Sequence, residues 1–117
     1  MKYLCLAYGD KKDWDALTKR EQTALLAQDE ALRTQGALMA AVETKAITVR
    51  AWDGKPIITE ASFVDSRTTL AGFSIIEAAD LNDVIELVAG TPCARAKGAI
   101  EIRPITVMND AAWKRSP

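Results

Sequence analysis

The sequence predicts an α+β fold in which two helices cover one face of an antiparallel sheet. Apolar and β-branched segments typical of strands alternate with two segments whose apolar residues recur at helical spacing. The chain has 117 residues, of which 49% are hydrophobic, and this is enough for one domain with its own core. We therefore expect a single domain over residues 1–117, with a core over 2–107 and a polar tail over 108–117.

The first half of the chain begins with a strand and a long helix. Residues 2–8 form a continuous apolar run whose length suits a strand buried on both faces, and the charged segment KKDWD is predicted to be a connector. A helix is expected from about Asp15 to Gln35. Thr18 and Glu21 have the spacing of a capping box, and Gly36 is well placed to end this helix.

The rest of the chain adds strands around one further helix. The helix is predicted to follow Asp80, whose side chain suits an N-cap, and to end near Gly90. The predicted strands are 37–42, 46–52, 55–59, 70–77 and 99–107. Without the hairpin at Asp53 and Gly54 the order is β-α-β-β-α-β, which is the ferredoxin-like split βαβ pattern.

Composition excludes several classes of protein and of site. The net charge is −1 with no polybasic run, which argues against nucleic-acid and membrane-surface binding. No apolar stretch approaches the ~20 residues of a membrane helix, and no secretory leader is visible, so we expect a cytoplasmic protein with Cys5 and Cys93 reduced. The chain contains no histidine, which excludes a Ser-His-Asp triad and histidyl metal ligands. We expect no metal and no cofactor.

The uncovered face of the predicted sheet indicates a homodimer. Two helices cover only one face, and the segments 2–8 and 70–77 are apolar on the other face as well. An open apolar face of this extent is typical of an interaction surface. We expect two sheets to pack face to face in a homodimer, with Trp52 as a packing or dimer-contact residue.

The last predicted strand places two charges on that open face. Alternation puts Ile100 and Ile102 on one side and Glu101 and Arg103 on the other. If the isoleucines face the helices, Glu101 and Arg103 line a polar cleft between the sheets. The alternative is that the two charged side chains pair with each other or rim the interface.

A polar loop between two predicted strands offers further candidates. Arg67 beside Asp65 suits the binding of a carboxylate or phosphate, although a solvated ion pair is the simpler interpretation. Glu60 is a candidate general base if burial raises its pKa. Cys93 lies near Arg95 and Lys97 in sequence, and nearby cations would lower the pKa of its thiol.

Several short segments are distinctive when taken together. They are WDGK at 52–55, TEASF at 59–63, LAGF at 70–73 and AKGAIEIRPI at 96–105, preceded by KYL and YGD near the N-terminus. With these segments the chain resembles the YCII-related family, in particular its branch with a DGPF motif. The resemblance extends from Lys2 to about Ile105, and the ending GAIEIRPI is its most specific part.

The resemblance implies a dimeric α+β barrel, in agreement with the predicted order of elements. Some YCII proteins use a His-Asp pair to eliminate chloride from a chlorinated aromatic, whereas relatives in the DGPF branch look like accessory proteins of alternative sigma factors. Here the DGPF positions read EASF at 60–63. Asp65 and Arg67 stand where the family has an acidic residue and a lysine, and Lys97 stands where histidine is common. Without histidine, the His-Asp chemistry does not carry over.

The leading interpretation is a small homodimer that binds a small polar or anionic molecule in a cleft between the sheets. One alternative is a cofactor-free lyase or oxygenase acting on a small organic acid or quinol, with Glu60 or Asp65 as base. Another is an interaction module associated with transcription regulation. The lack of histidine weighs against an enzyme. The predicted ligand-binding residues are Ser62, Asp65, Arg67, Glu101 and Arg103.

Overall fold

The structure, a computed structural model, describes residues 1–64 and 68–109. Its strands are β1 (Lys2–Tyr8), β2 (Leu38–Ala41), β3 (Thr48–Arg50), β4 (Ile57–Thr59), β5 (Leu70–Glu77) and β6 (Ala99–Pro104). Its helices are α1 (Lys11–Asp15), α2 (Lys19–Thr34), α3 (Leu81–Ala89) and α4 (Pro92–Arg95). No helix in these two ranges is long and apolar enough to cross a membrane.

Four strands form an antiparallel sheet in the order β2-β5-β1-β6, and β3 and β4 form a separate two-stranded hairpin. Without the hairpin the element order is the predicted β-α-β-β-α-β apart from two short helices, so the α+β prediction is confirmed. The short helices α1 and α4 were not predicted. The first lies in the supposed connector, and the second begins at Pro92, a residue favoured in a first helical turn.

The core lies between the sheet and its helices. The register places Tyr3 beside Ile76 and Cys5 beside Ser74 on the face that the helices cover. The buried apolar cluster consists of Tyr3, Cys5, Leu32, Ile76, Val84 and Val88. The prediction that β1 is buried on both faces holds for one face only, because Leu4 and Leu6 on the other face are half-buried.

The ends of the two longer helices agree with their sequence signals. Thr18 and Glu21 form the predicted capping box, in which the Thr18 hydroxyl accepts from the Glu21 N–H at 3.1 Å. The Thr18 N–H donates to the Glu21 carboxylate at 2.8 Å, and this lowers the pKa of that carboxyl. Gly36, at φ 102°, takes the left-handed conformation that stops α2. The Asp80 carboxylate caps α3 by accepting from the Asp83 N–H at 2.9 Å.

A β-bulge interrupts the pairing of the two central strands near their ends. Ala7 pairs with Gly72 and Tyr8 pairs with Leu70, so Ala71 is the extra residue. Beyond the bulge, the Gly9 N–H donates to the Thr69 carbonyl at 2.9 Å. The bulge therefore changes the direction of β5 at the end of the sheet where the small residues of the candidate site lie.

The hairpin of β3 and β4 turns at Asp53 and Gly54, as predicted. Gly54 has φ 89°, and the Asp53 carboxylate accepts from the Lys55 N–H at 3.1 Å, which fixes the turn. The strands are shorter than predicted, with three residues each.

The second face of the four-stranded sheet has no helix over it in the described chain. The register places seven mainly apolar side chains there, and each is half-buried or exposed. They are Leu4, Leu6, Tyr8, Leu38, Ala40, Phe73 and Ile75. We call this surface the open face.

Candidate functional site

A cavity of about 250 Å³ lies between the sheet and its helical layer. Its floor is the helix-side face of β1 and β5. One wall comes from α2 and β2, and another from the segment that contains α4. The apolar lining includes Cys5, Leu32, Met39, Val88, Pro92 and Ile100, and the polar lining includes Asp29, Arg33, Ser74, Thr91 and Cys93.

The cavity exists because the sheet carries small residues at this end. Tyr3 and Ile76 fill the space under the helices near the start of β1, whereas Ala7 pairs with Gly72 near its end. On the neighbouring strand, Ala41 pairs with Gly72 as well. Three adjacent small residues leave volume that large side chains occupy elsewhere in a close-packed layer.

Gly72 is needed for a second reason. A Cβ atom at this position would lie 2.3 Å from the Ala40 carbonyl oxygen of β2, which is far inside van der Waals contact. The close approach of these two strands therefore depends on glycine. The same residue widens the cavity and brings β2 against β5.

Asp29 is the acidic group of the cavity wall. It lies on α2 between Leu25 and Leu32, at the border of the buried stripe. Burial raises the pKa of its carboxyl, while the charge of the Arg33 guanidinium acts in the opposite direction. Arg33 itself pairs with Glu30 on the outer side of the helix. Asp29 was not among the predicted site residues, although its position beside the apolar stripe was the signal that could have identified it.

Two free cysteines also line the cavity. Burial raises the pKa of the Cys5 thiol, and the Ser74 hydroxyl, which hydrogen-bonds to it, partly offsets this effect. Burial and then the charge of Asp29 raise the pKa of the Cys93 thiol. The expectation that Arg95 and Lys97 lower the Cys93 pKa is wrong, because desolvation and a nearby carboxylate dominate. Both groups are protonated thiols at neutral pH and poor nucleophiles.

The predicted pair Glu101 and Arg103 lies on the open face, opposite the cavity. Ile102 pairs with Cys5 on the helix side, and Ile100 lines the cavity there. An Arg103 guanidinium nitrogen and a Glu101 carboxylate oxygen are 3.2 Å apart, and both side chains are substantially exposed. The structure therefore contains the simpler alternative, in which the two side chains pair with each other.

The other predicted residues belong to the segment after β4. Ser62 is exposed, and its hydroxyl donates to the Val64 carbonyl at 3.1 Å. Glu60 is exposed, so it lacks the buried setting on which its proposal as a general base depended. Asp65 and Arg67 lie outside the described residues. Ser62 follows the separate hairpin of β3 and β4, whereas Glu101 and Arg103 lie on β6 at the edge of the four-stranded sheet.

The cavity is chemically simple. Within residues 1–64 and 68–109, no three His, Cys, Asp or Glu side chains lie close enough together to hold a metal ion. The Thr91 hydroxyl is occupied by the Val88 carbonyl at 2.6 Å. The arrangement can surround a small apolar group and offer it one carboxyl group for a hydrogen bond.

Comparison with known proteins supports the resemblance read from the sequence. The family model of the YCII-related domain matches residues 1–109. The chain belongs to the YCII-related family. No curated protein matches the chain. One similar solved structure is 5-chloro-2-hydroxyhydroquinone dehydrochlorinase from Burkholderia phenoliruptrix in complex with 2,5-dihydroxybenzoquinone. It is 17% identical, with a TM-score of 0.49, and the match covers 94% of this chain and 98% of that one.

Membership of the YCII-related family confirms the family prediction, while the DGPF branch stays a prediction. Lys97, which stands where histidine was expected from the resemblance, is exposed and has φ 62°. The following residue, Gly98, packs so closely that a Cβ atom would lie 2.0 Å from the Tyr8 carbonyl oxygen. Lys97 therefore lies in a tight turn that leads into β6.

Proposed function

We propose that this YCII-related protein is a homodimer that binds a small molecule in the helix-side cavity of each subunit. The observation that carries the proposal is the cavity itself, with mainly apolar walls and the carboxyl group of Asp29 at one side. Binding sites of this kind are typically concave, mostly apolar and supplied with a few oriented polar groups.

The volume of the cavity limits the size of the ligand. Its volume of about 250 Å³ is below the ~300–1,000 Å³ of typical drug-sized pockets. An apolar cavity of about 150 Å³ is known to bind benzene. We therefore propose a ligand with one ring or a short branched chain and a single polar group that reaches Asp29.

The charge of Asp29 adds a preference. The Arg33 guanidinium in the lining already pairs with Glu30, so the Asp29 carboxylate sets the preference: it repels an anionic ligand and accepts a hydrogen bond from a neutral one. A neutral hydroxyl compound therefore suits the cavity better than the anion expected from the sequence. Glu101 and Arg103 then belong to the rim of the proposed dimer, because they already neutralise each other.

The test uses phenol and benzoate as probes of the same ring with a neutral and an anionic substituent. Ligand-detected NMR should show saturation transfer to phenol, and less to benzoate at neutral pH. Ala7→Leu, which fills the cavity floor, should abolish the signal, whereas Ala89→Leu, on the exposed side of α3, should keep it. Circular dichroism confirms that both variants fold. If neither probe binds, or if Ala7→Leu binds phenol as the wild type does, the cavity is not the site.

A further inference from the structure

The segment Val42–Val64, which we call the arm, projects from the four-stranded sheet. It carries the hairpin of β3 and β4, and no other described helix or strand makes more than marginal contact with that hairpin. Within the described residues, the hairpin therefore packs mainly on itself.

The arm exposes large apolar side chains that a solvated hairpin would not need. Trp52 is 84% exposed and Phe63 is 71% exposed. Val49 and Ile58 pair with each other across the hairpin, and both are exposed. A groove between the strand and the following segment is lined by Val49, Trp52 and Phe63. An isolated two-stranded hairpin is marginally stable in water. We therefore expect the apolar surface of the arm to pack against another protein surface.

The flat area of the open face is smaller than the surface that a standard stable interface buries. Its strands contain seven, eight, four and six residues. With about 3.3 Å between residues and 4.8 Å between strands, the face has a planar area of about 400 Å². A stable interface buries about 800 Å² on each partner. The arm can supply the remainder, since Trp52 and Phe63 alone add about 300 Å² if buried aromatic side chains contribute 150–250 Å² each.

The arm directly follows β2 in the chain and has a balanced charge. Val42 is still held to the sheet, because its N–H donates to the Ala71 carbonyl at 2.9 Å. Exposed apolar side chains continue along the chain from Leu38 in β2 through Val42 and Ile47 into the arm. The arm has three acidic and three basic side chains, so two copies do not repel each other. The charged residues are Glu43, Lys45, Arg50, Asp53, Lys55 and Glu60.

We infer that the arm docks on a second copy of this chain, across the proposed dimer of open faces. Each arm leaves the edge of its own sheet and covers the partner subunit with Trp52, Ile58 and Phe63. The contact is isologous, since each copy gives and receives the same arm. The inference rests on the homodimer of the proposed function and adds the element that completes its interface.

The test compares two isoleucines with similar exposure on different surfaces. Ile58 lies in the arm and is 65% exposed, while Ile85 lies on α3 and is 46% exposed. Burying one isoleucine is worth ~1.5–3 kcal/mol, so Ile58→Asp should weaken dimerisation by at least about tenfold in sedimentation equilibrium. Ile85→Asp should leave the dissociation constant unchanged. In a background of Trp14→Phe and Trp113→Phe, dimerisation should also protect Trp52 from acrylamide quenching.

The outcomes separate this inference from the dimer on which it rests. A wild-type dimer that is equally tight in both isoleucine variants, with Trp52 open to acrylamide, overturns the arm contact and leaves the homodimer standing. A wild-type protein that sediments as a monomer overturns both. Protection of Trp52 in a monomer means that the arm folds onto its own subunit, which also contradicts the inference.

Discussion

At the scale of single residues, Asp29 links the cavity to pH. Its carboxyl has a raised pKa in the folded protein, whereas in the unfolded chain it titrates near the ordinary aspartate value of about 3.9. Between these two values the folded state binds more protons than the unfolded state. Stability from this group is therefore fully present below about pH 3.9 and is lost as the pH rises through the folded pKa.

Asp29→Asn should remove this dependence. At neutral pH we expect the variant to be at least as stable as the wild type, by less than about 1 kcal/mol because solvent screens a half-exposed carboxylate. Near pH 3 the two proteins should melt at the same temperature, since a protonated aspartate resembles asparagine. Thermal melts from pH 3 to pH 8 measure the difference, and Glu86→Gln on the exposed side of α3 is the control. A variant that loses stability at neutral pH would contradict the linkage.

At the scale of elements, local sequence signals predict the ends of the helices better than they predict the candidate site. Thr18 and Gly36 marked the ends of α2 because capping depends on residues a few positions apart. The short helix α1 has no such side-chain cap, and its residues read as a charged connector. The cavity depends on small residues from three strands, which meet only after the sheet has formed. For that reason the sequence predicted a binding site in the polar loop and did not predict the helix-side cavity at Gly72.

Gly72→Ala tests the close approach of β2 to β5. The added methyl group meets the Ala40 carbonyl oxygen at 2.3 Å, so the strands must separate. We expect a loss of ~1–3 kcal/mol in the free energy of unfolding, the usual cost of overpacking. Gly90→Ala is the control, because its Cβ atom would meet the Gln28 side chain at an ordinary 3.5 Å. Urea denaturation compares the two variants. Equal midpoints would show that the two strands can separate without loss of stability.

At the scale of the whole molecule, the proposed homodimer depends on the open face. Leu6 lies near its centre and pairs with Phe73 on one side and Glu101 on the other. A subunit alone would leave this apolar surface in water, and proteins rarely expose such a patch without a partner. The proposed homodimer removes it from water without a change in the subunit fold.

Leu6→Lys should give a folded monomer. The new ammonium group would stay in water in a monomer, but a second sheet could pack there only by burying it. Light scattering coupled to size exclusion should show half the mass of the wild type. Leu26→Lys, on the exposed side of α2, should stay dimeric. A dimeric Leu6→Lys protein would place the interface elsewhere.

The central position of β1 determines when the protein can begin to fold. The ribosome makes β1 before both of its partners, β5 and β6, whose residues come about 70 and 100 positions later. At a synthesis rate of ~5–20 residues per second, β1 waits several seconds or more for its first partner. During that time its apolar side chains are available to chaperones and to other nascent chains. Because these contacts are distant in sequence, we also expect slow folding in vitro for a chain of this length.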